Sequence, residues 1–244
     1  MSEIRAILFD FGNTLVKVLY HYDIQVANLY NFFIKEGFAF PSFWDFKETY
    51  SKTRDEQRLI SQKTLKEINL KERFCNVLRK FGYSCQPEND VIIKAIDLYI
   101  SVFFSGAELH PGLKDLLHDL KTVYNINLGI ISNFPRSKDL LKSLKKFKII
   151  DFFDTITISA DVGWIKPHEA IFKKAISDQK IPTNKAIFVG DNFYADIYGA
   201  KKFGMRAAYL KTHDSPQNSH LADEYKVKPD WVIKSLNELR SILE

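Results

Sequence analysis

The chain has 244 residues, 45% of them hydrophobic and 27% charged, with a formal net charge of +5. This length is sufficient for one sizeable core plus an accessory domain, and the composition is that of an ordinary soluble protein. No apolar run approaches ~18 residues, and the N-terminus lacks the basic, apolar and small-residue series of a signal peptide. We therefore expect a cytoplasmic protein that does not bind a membrane.

The basic residues are scattered singly or in pairs such as Lys145-Lys146, which is typical of solvated helix faces. We therefore expect no nucleic-acid partner, although a mildly basic surface is compatible with small anionic substrates. Cys75 and Cys85 have no metal-like spacing and lie in helix-rich sequence. We expect them to be free, structural thiols in a reducing compartment.

The first predicted element is a buried strand, because Ile4 to Phe9 is a short apolar run that ends at Asp10. In open α/β sheets ligands bind beyond the carboxyl ends of the strands, so Asp10 stands where chemistry is usually placed. The alternative interpretation is an aspartate that only begins a turn, which Gly12 and Asn13 would favour.

Helical periodicity replaces strand-like alternation from Val16 to about Ala107. The spacing of apolar residues predicts helices over Tyr22 to Glu36, Phe43 to Arg58, Leu65 to Phe81 and Asp90 to Phe104. Most of the many aromatic residues here are expected to form the core of this segment. We assign residues 17–107 to a small all-α domain inserted after the first strand, and residues 1–16 and 108–244 to the main domain.

Strands and helices alternate after the insertion, which predicts an α/β fold with a doubly wound parallel sheet. His110 is interpreted as a loop residue before a helix from Leu113 to Val123, and Pro167 is expected in the first turn of a later helix. The remaining predicted features are strands at Ala207 to Leu210 and Trp231 to Ile233, a loop from His213 to Ala222, and a capping box at Ser235-x-x-Glu238.

Three further strand-like runs are each followed by a polar motif. These motifs are Ser132-Asn133, Gly163-Trp164-Ile165-Lys166-Pro167, and Gly190-Asp191-Asn192 with Asp196 close behind. Phosphoryl transfer needs a nucleophile, a cation and donors that hold the phosphoryl group in line. Asp10 and Asp191 could share one Mg²⁺, Lys166 could supply a point charge, and Ser132 a hydroxyl.

The order and residue types of these motifs, together with the first motif at Asp10, resemble the haloacid dehalogenase-like hydrolase superfamily along about the whole chain. The resemblance implies a Rossmann-like core with a helical cap and a Mg²⁺-dependent phosphatase acting on a small phosphorylated metabolite. It implies that Asp10 becomes an aspartyl phosphate, Ser132 binds the transferred phosphate and Lys166 neutralises it.

The same resemblance implies a Mg²⁺ site made by Asp10, the carbonyl of Gly12 and Asp191. Asp196 would belong to the surrounding residues that support these ligands. Thr14 matches the hydroxyl residue of the family's first motif, which is expected to stabilise the loop after Asp10. Phe11, Thr14 and Asn133 are further candidates for substrate binding, beside Ser132 and Lys166.

Gly12 departs from the family pattern, because phosphatases of the superfamily usually carry there a second aspartate that protonates the leaving oxygen. General acid catalysis of this kind is worth ~10²–10⁴-fold, so its absence should penalise alkyl leaving groups more than acyl or anomeric ones. Residues Tyr20, His21, Tyr22 and Asp23 are candidates to contact substrate or to replace the missing acid.

Two alternative functions remain open at this point. A metal-free 2-haloacid dehalogenase also lacks the second aspartate, but Asp191 argues against it, since two carboxylates without a cation would raise a pKa and spoil the nucleophile. A non-catalytic module that binds a phosphorylated ligand is the other alternative. The sequence identifies neither the physiological substrate nor the oligomeric state.

Overall fold

The computed structural model describes residues 4–18, 22–211 and 224–244. The chain divides into two compact units, one made of Met1–Lys17 with Glu108–Glu244, the other of Val18–Ala107. Within the described ranges, no helix combines the length and apolar character needed to cross a membrane. Tyr20 and His21, and the loop predicted from His213 to Ala222, lie outside the described residues.

The described part of the first unit is built on a six-stranded parallel sheet. This confirms the predicted α/β fold with a helical insertion after the first strand. The sheet strands are β1 (Ala6–Phe9), β4 (Asn127–Ser132), β5 (Thr155–Ile158), β6 (Ala186–Gly190), β7 (Arg206–Leu210) and β8 (Trp231–Ile233). Their order across the sheet is β5-β4-β1-β6-β7-β8. Two shorter strands, β2 (Val16–Val18) and β3 (Ala107–Leu109), pair in a separate sheet.

The strand β1 lies in the middle of the large sheet, and all four of its residues are fully buried. Its neighbours β4 and β6 lie on opposite sides of it, so the strand order reverses at β1. In doubly wound folds such a reversal leaves a crevice at the carboxyl ends of the strands. Asp10, the residue directly after β1, is therefore at the position where a ligand site is expected.

The helices of the first unit are α5 (Leu113–Thr122), α6 (Ser137–Lys146), α7 (Ser159–Val162), α8 (Glu169–Gln179), α9 (Gly199–Lys202) and α10 (Leu239–Leu243). The prediction that Pro167 lies in the first turn of α8 is wrong. His168 is the N-cap, and its Nδ1 accepts a hydrogen bond from the Ala170 N–H at 3.1 Å. The predicted capping box of Ser235 and Glu238 is confirmed, although it opens a 3-10 turn before α10.

The second unit contains α1 (Tyr22–Lys35), α2 (Phe43–Thr64), α3 (Leu70–Lys80) and α4 (Asp90–Ser105). The predicted boundary between the second and third helices is wrong, because α2 continues to Thr64 and α3 begins only at Leu70. Leu65 ends α2 in a left-handed conformation, and the Asn69 side chain caps α3 by accepting from the Lys71 and Glu72 N–H groups. These local backbone hydrogen bonds outweigh the apolar periodicity that continues across the break.

The predicted aromatic core of this unit is borne out in part, because four of its described aromatic side chains are buried and most of the others are half-buried around them. Phe33 and Phe46 are fully buried, and the Phe33 ring contacts the rings of Phe38 and Phe74 edge to face. Trp44 is exposed, with 70% of its surface accessible. Edge-to-face contacts stabilise such a cluster beyond the burial of apolar area alone.

Cys75 and Cys85 form a disulfide between α3 and the segment that follows it. The prediction of two free thiols is therefore wrong, because helical periodicity says nothing about which cysteines the tertiary structure brings together. Both cysteines are buried. The spacing of the two cysteines matches no metal motif, and spacing alone does not indicate a disulfide.

Reduction of this disulfide is expected to destabilise the second unit by ~2–3 kcal/mol, because a closed loop of this size restricts the unfolded chain by about that amount. Urea unfolding with and without reductant measures the effect. A variant with Cys75→Ala and Cys85→Ala serves as the control, and reductant should leave its unfolding midpoint unchanged. Two thiols that react with iodoacetamide in unreduced, unfolded protein would contradict the disulfide.

Candidate active site

Asp10 is followed by a tight turn whose backbone is held by its own hydrogen bonds. The Asp10 N–H donates to the Val189 carbonyl at 2.9 Å, and the Phe11 carbonyl accepts from the Leu15 N–H at 2.9 Å and the Val16 N–H at 3.1 Å. Asn13 takes the left-handed conformation in this turn, with φ 58°. At Gly12, an added Cβ would meet no atom within 4 Å, so a side chain has room there.

Lys166 lies between two carboxylates at the edge of the sheet. Its Nζ is 2.6 Å from Asp10 Oδ1 and 2.7 Å from Asp196 Oδ1, and its side chain is only 2% exposed. Burial by itself would lower the pKa of Lys166, but the charges of Asp10 and Asp196 and the hydrogen bonds to them outweigh this effect and raise it. Lys166 is therefore a fixed positive charge beside Asp10.

Asp191 and Asp196 follow β6 and, together with Asp10, form an acidic cluster of three carboxylates beside Lys166. Asp196 lies in a π-helical turn, Phe193–Tyr198, and its Oδ2 accepts from the Asn192 N–H at 2.9 Å. The same carboxylate packs against Gly190, where an added Cβ would lie 2.3 Å from Asp196 Oδ2. Glycine at position 190 thus leaves the space that Asp196 occupies.

Burial raises the pKa of Asp191 to about 8, and the charges of Asp10 and Asp196 add to the rise. Lys166 and a hydrogen bond from Thr14 Oγ1 to Asp191 Oδ1, at 3.3 Å, act in the opposite direction. Burial likewise raises the pKa of Asp196 to about 6, and Lys166 limits the rise. Crowding of three carboxylates around one ammonium therefore leaves negative charge to be compensated.

Oxygen atoms of Asp10, Asp191 and Asp196 lie within 4.8 Å of one another. Hard divalent cations such as Mg²⁺ bind carboxylate oxygens of this kind. Asp196 Oδ1 lies 2.7 Å from Lys166 Nζ and Oδ2 accepts from the Asn192 N–H, whereas the described contacts of Asp10 and Asp191 each use one oxygen, Oδ1. The donor set and its excess negative charge fit a bound Mg²⁺.

Ser132 and Asn133 come from the end of β4, the strand next to β1. The register pairs Phe9 with Ile130, so Ser132 reaches the same edge of the sheet as Asp10, and its side chain is buried. Asn133 directs its side-chain amide to the backbone of Lys166, with hydrogen bonds of 2.7 and 3.2 Å. Phe11 is fully buried, so its ring is not open to a ligand.

His110 is a loop residue, as predicted, and its Nε2 lies 3.3 Å from the Asn13 carbonyl oxygen in the turn after β1. Sequence reasoning missed one neighbour of the acidic cluster. Tyr209 on β7 is paired in register with Gly190, and burial together with the charges of Asp191 and Asp196 raises the pKa of its hydroxyl. Strand register brings Tyr209 there, and no local motif could have indicated it.

Tyr22 and Asp23, candidates for substrate contact, begin α1 in the second unit. Tyr22 shares a hydrogen bond between its hydroxyl and Ser51 Oγ, and Arg54 lies over its ring, 4.4 Å from the centroid. Asp23 forms an ion pair with Lys47 at 2.9 Å. Both residues therefore make contacts within their own unit.

Comparison with known proteins agrees with this fold. Residues 46–210 match the haloacid dehalogenase-like hydrolase family. The chain is 30% identical to the glyceraldehyde 3-phosphate phosphatase of Pyrococcus furiosus, over 100% of this chain and 95% of that protein.

Solved structures with this fold include the putative HAD-hydrolase YfnB of Bacillus subtilis bound to magnesium, with a TM-score of 0.64, 23% identity and full coverage of both chains. The 2-haloacid dehalogenase of Pseudomonas syringae pv. Tomato is similar with a TM-score of 0.71, 22% identity and 98% coverage of each chain.

The fold and the acidic cluster define the class, a doubly wound α/β protein with a helical insertion after its first strand and three carboxylates close together at the ends of its strands. Within this class, the chain belongs to the haloacid dehalogenase-like hydrolase family, and specifically to its phosphatases, which hydrolyse phosphoric monoesters. The two solved structures, at these identities, show the fold alone.

Proposed function

We propose that this phosphatase hydrolyses a small phosphorylated metabolite through a phosphoryl group carried on Asp10, with Mg²⁺ held by Asp10 and Asp191. The observation that carries the proposal is the position of Asp10. It follows the central strand, its carboxylate accepts a hydrogen bond from the buried Lys166, and two further carboxylates lie within reach of one cation.

Asp10, Asp191 and the carbonyl of Gly12 are the proposed Mg²⁺ ligands. Mg²⁺ usually takes one or two protein carboxylates and keeps several waters, which matches this donor set. Asp196 would act indirectly, because its two oxygens hold Lys166 and the turn at Asn192. When bound, Mg²⁺ would supply positive charge near the phosphoryl oxygens.

In the first step, a carboxylate oxygen of Asp10 attacks phosphorus and the bond to the leaving oxygen breaks. In the second step, water attacks the same phosphorus, the bond to Asp10 breaks, and inorganic phosphate leaves. Lys166 fixes the Asp10 carboxylate and neutralises the transferred group, while Ser132 donates a hydrogen bond to it. Gly12 has no side chain to give a proton to the leaving oxygen, so that oxygen departs unprotonated or takes a proton from another donor.

Two arguments on the substrate point in different directions. The 30% sequence identity to a glyceraldehyde 3-phosphate phosphatase, which extends over the whole chain, supports a short phosphorylated aldehyde or sugar as the substrate. The leaving group of such a substrate is a primary alkoxide. The absence of a carboxylate at Gly12 favours acyl or anomeric phosphates, which leave more easily. A direct comparison of kcat/KM for glyceraldehyde 3-phosphate and acetyl phosphate decides between them.

We also propose that residues 17–107 form a cap domain that supplies substrate contacts. The proposal rests on the compact helical unit Val18–Ala107 and on its place in the chain, directly after the turn that carries Asp10. Cap closure in such enzymes excludes water and completes the site.

The metal proposal is tested by chelation and by Asp191→Asn. Excess EDTA is expected to abolish hydrolysis of p-nitrophenyl phosphate, and Asp191→Asn is expected to raise the Mg²⁺ concentration for half-maximal rate by ~10–100-fold, because one of few carboxylate ligands is lost. Asp178→Asn, an exposed aspartate on α8 that pairs with Lys174, is the matched control and should behave like wild type. Full turnover in excess chelator would contradict the metal-dependent mechanism.

A further inference from the structure

Asn133 holds both backbone groups of Lys166 with one side chain. Its Oδ1 accepts from the Lys166 N–H at 2.7 Å, and its Nδ2 donates to the Lys166 carbonyl at 3.2 Å. The two residues are 33 positions apart in the chain. A side-chain amide that satisfies the donor and the acceptor of a single residue fixes that residue in position and in orientation.

Lys166 needs such a contact because it lies outside regular structure. The helix α7 ends at Val162, and α8 begins at Glu169, so no helix or strand ladder binds the Lys166 backbone. Trp164 and His168, which lie on either side of Lys166 in the chain, stabilise this segment by stacking their rings, with centroids 3.9 Å apart. Unpaired buried backbone groups are costly, and Asn133 satisfies those of Lys166.

Asn133 is exposed, but the backbone on both sides of it is fixed. It follows β4 directly, and the next residue, Phe134, donates its backbone N–H to Ser159 Oγ at 2.8 Å. Ser159 is fully buried at the start of α7. The contact between Asn133 and Lys166 therefore joins the end of β4 to the segment that places Nζ between Asp10 and Asp196.

We propose that Asn133 is a positioning residue, which acts on phosphoryl transfer through Lys166 rather than as a ligand of the substrate. This rests on the proposed function, in which Lys166 neutralises the transferred phosphoryl group. Rotation of the amide toward a substrate would break both hydrogen bonds to Lys166. A displaced Lys166 backbone would move Nζ away from Asp10, and charge stabilisation depends on placement within fractions of an ångström.

The kinetic test is Asn133→Ala with p-nitrophenyl phosphate and Mg²⁺. We expect kcat to fall by ~10–100-fold, somewhat less than the loss of one electrostatic donor, with KM changed less than about threefold. In a Lys166→Met background, Asn133→Ala should have almost no further effect on kcat, because the group it positions is already absent. A raised KM with unchanged kcat would assign Asn133 to substrate binding, and additive losses in the double variant would also overturn the proposal.

A second measurement does not depend on turnover. Lys166 is buried and paired with two carboxylates, so we expect it to resist acetylation by acetic anhydride in the wild type and to react several-fold faster in Asn133→Ala, as followed by peptide mass spectrometry. Ser235→Ala, which removes a capping hydrogen bond elsewhere in the same unit, is the matched control for general destabilisation and should leave Lys166 protected.

The two measurements separate the possible failures. A wild type without phosphatase activity in Mg²⁺ would overturn the proposed function, whereas faster Lys166 acetylation in Asn133→Ala would still support the positioning role. Unchanged acetylation in a folded Asn133→Ala variant would overturn that role, whatever the activity of the enzyme.

Discussion

Asp10→Asn is expected to reduce hydrolysis of p-nitrophenyl phosphate and of glyceraldehyde 3-phosphate by at least about 10³-fold. An amide oxygen is a poor nucleophile, and the substitution also removes the charge that Lys166 Nζ contacts at 2.6 Å. The backbone hydrogen bond from residue 10 to Val189 is kept, so the fold should be unaffected. Initial rates at saturating Mg²⁺ measure the effect, and acid quenching with labelled substrate shows whether phosphate is carried on the chain.

Labelled phosphate should be found on a peptide that contains Asp10 in the wild type and should be missing in Asp10→Asn. Asp178→Asn is again the control, since it exchanges the same groups on the exposed face of α8. Thermal melting confirms that each variant is folded. Substantial turnover in folded Asp10→Asn, or a label attached to another residue, would show that Asp10 is not the nucleophile.

Gly12→Asp is expected to accelerate hydrolysis of alkyl phosphates by up to ~10²–10⁴-fold, with a smaller gain for aryl phosphates. The new carboxyl group would give its proton to the departing oxygen, which matters most where the leaving group is a strong base. The turn can accept the substitution, because an added Cβ at position 12 meets no atom within 4 Å and the left-handed conformation falls on Asn13.

The measurement is the dependence of kcat/KM on the pKa of the leaving group, which should be steep in the wild type and flatter in Gly12→Asp. Gly12→Asn is the matched control, because it has the same shape but no acidic proton, and it should keep the steep dependence. An unchanged ratio of alkyl to aryl rates in folded Gly12→Asp would mean that another group already protonates the leaving oxygen.

Local sequence patterns predict the strands of the sheet and, from the strand ends, the place of the candidate site. Short apolar runs that end in a polar residue mark the ends of buried strands, and parallel strands bring these ends to one edge of the sheet. Asp10, Ser132 and Asp191 follow from this rule, and the structure places all three at that edge. Helical periodicity likewise predicted the insertion, although not the break between α2 and α3.

Interactions between residues distant in the chain were decided by the tertiary structure alone. Thr14 meets Asp191 across 177 positions, Asn133 binds the backbone of Lys166, and strand register brings Tyr209 beside the acidic cluster. The start of α8 after His168 is instead set locally, by the hydrogen bond from the Ala170 N–H to His168 Nδ1. The disulfide of Cys75 and Cys85, ten positions apart, was again decided by the tertiary structure. Such contacts depend on distances and directions in space, and hydrophobic periodicity records only which face of an element is buried.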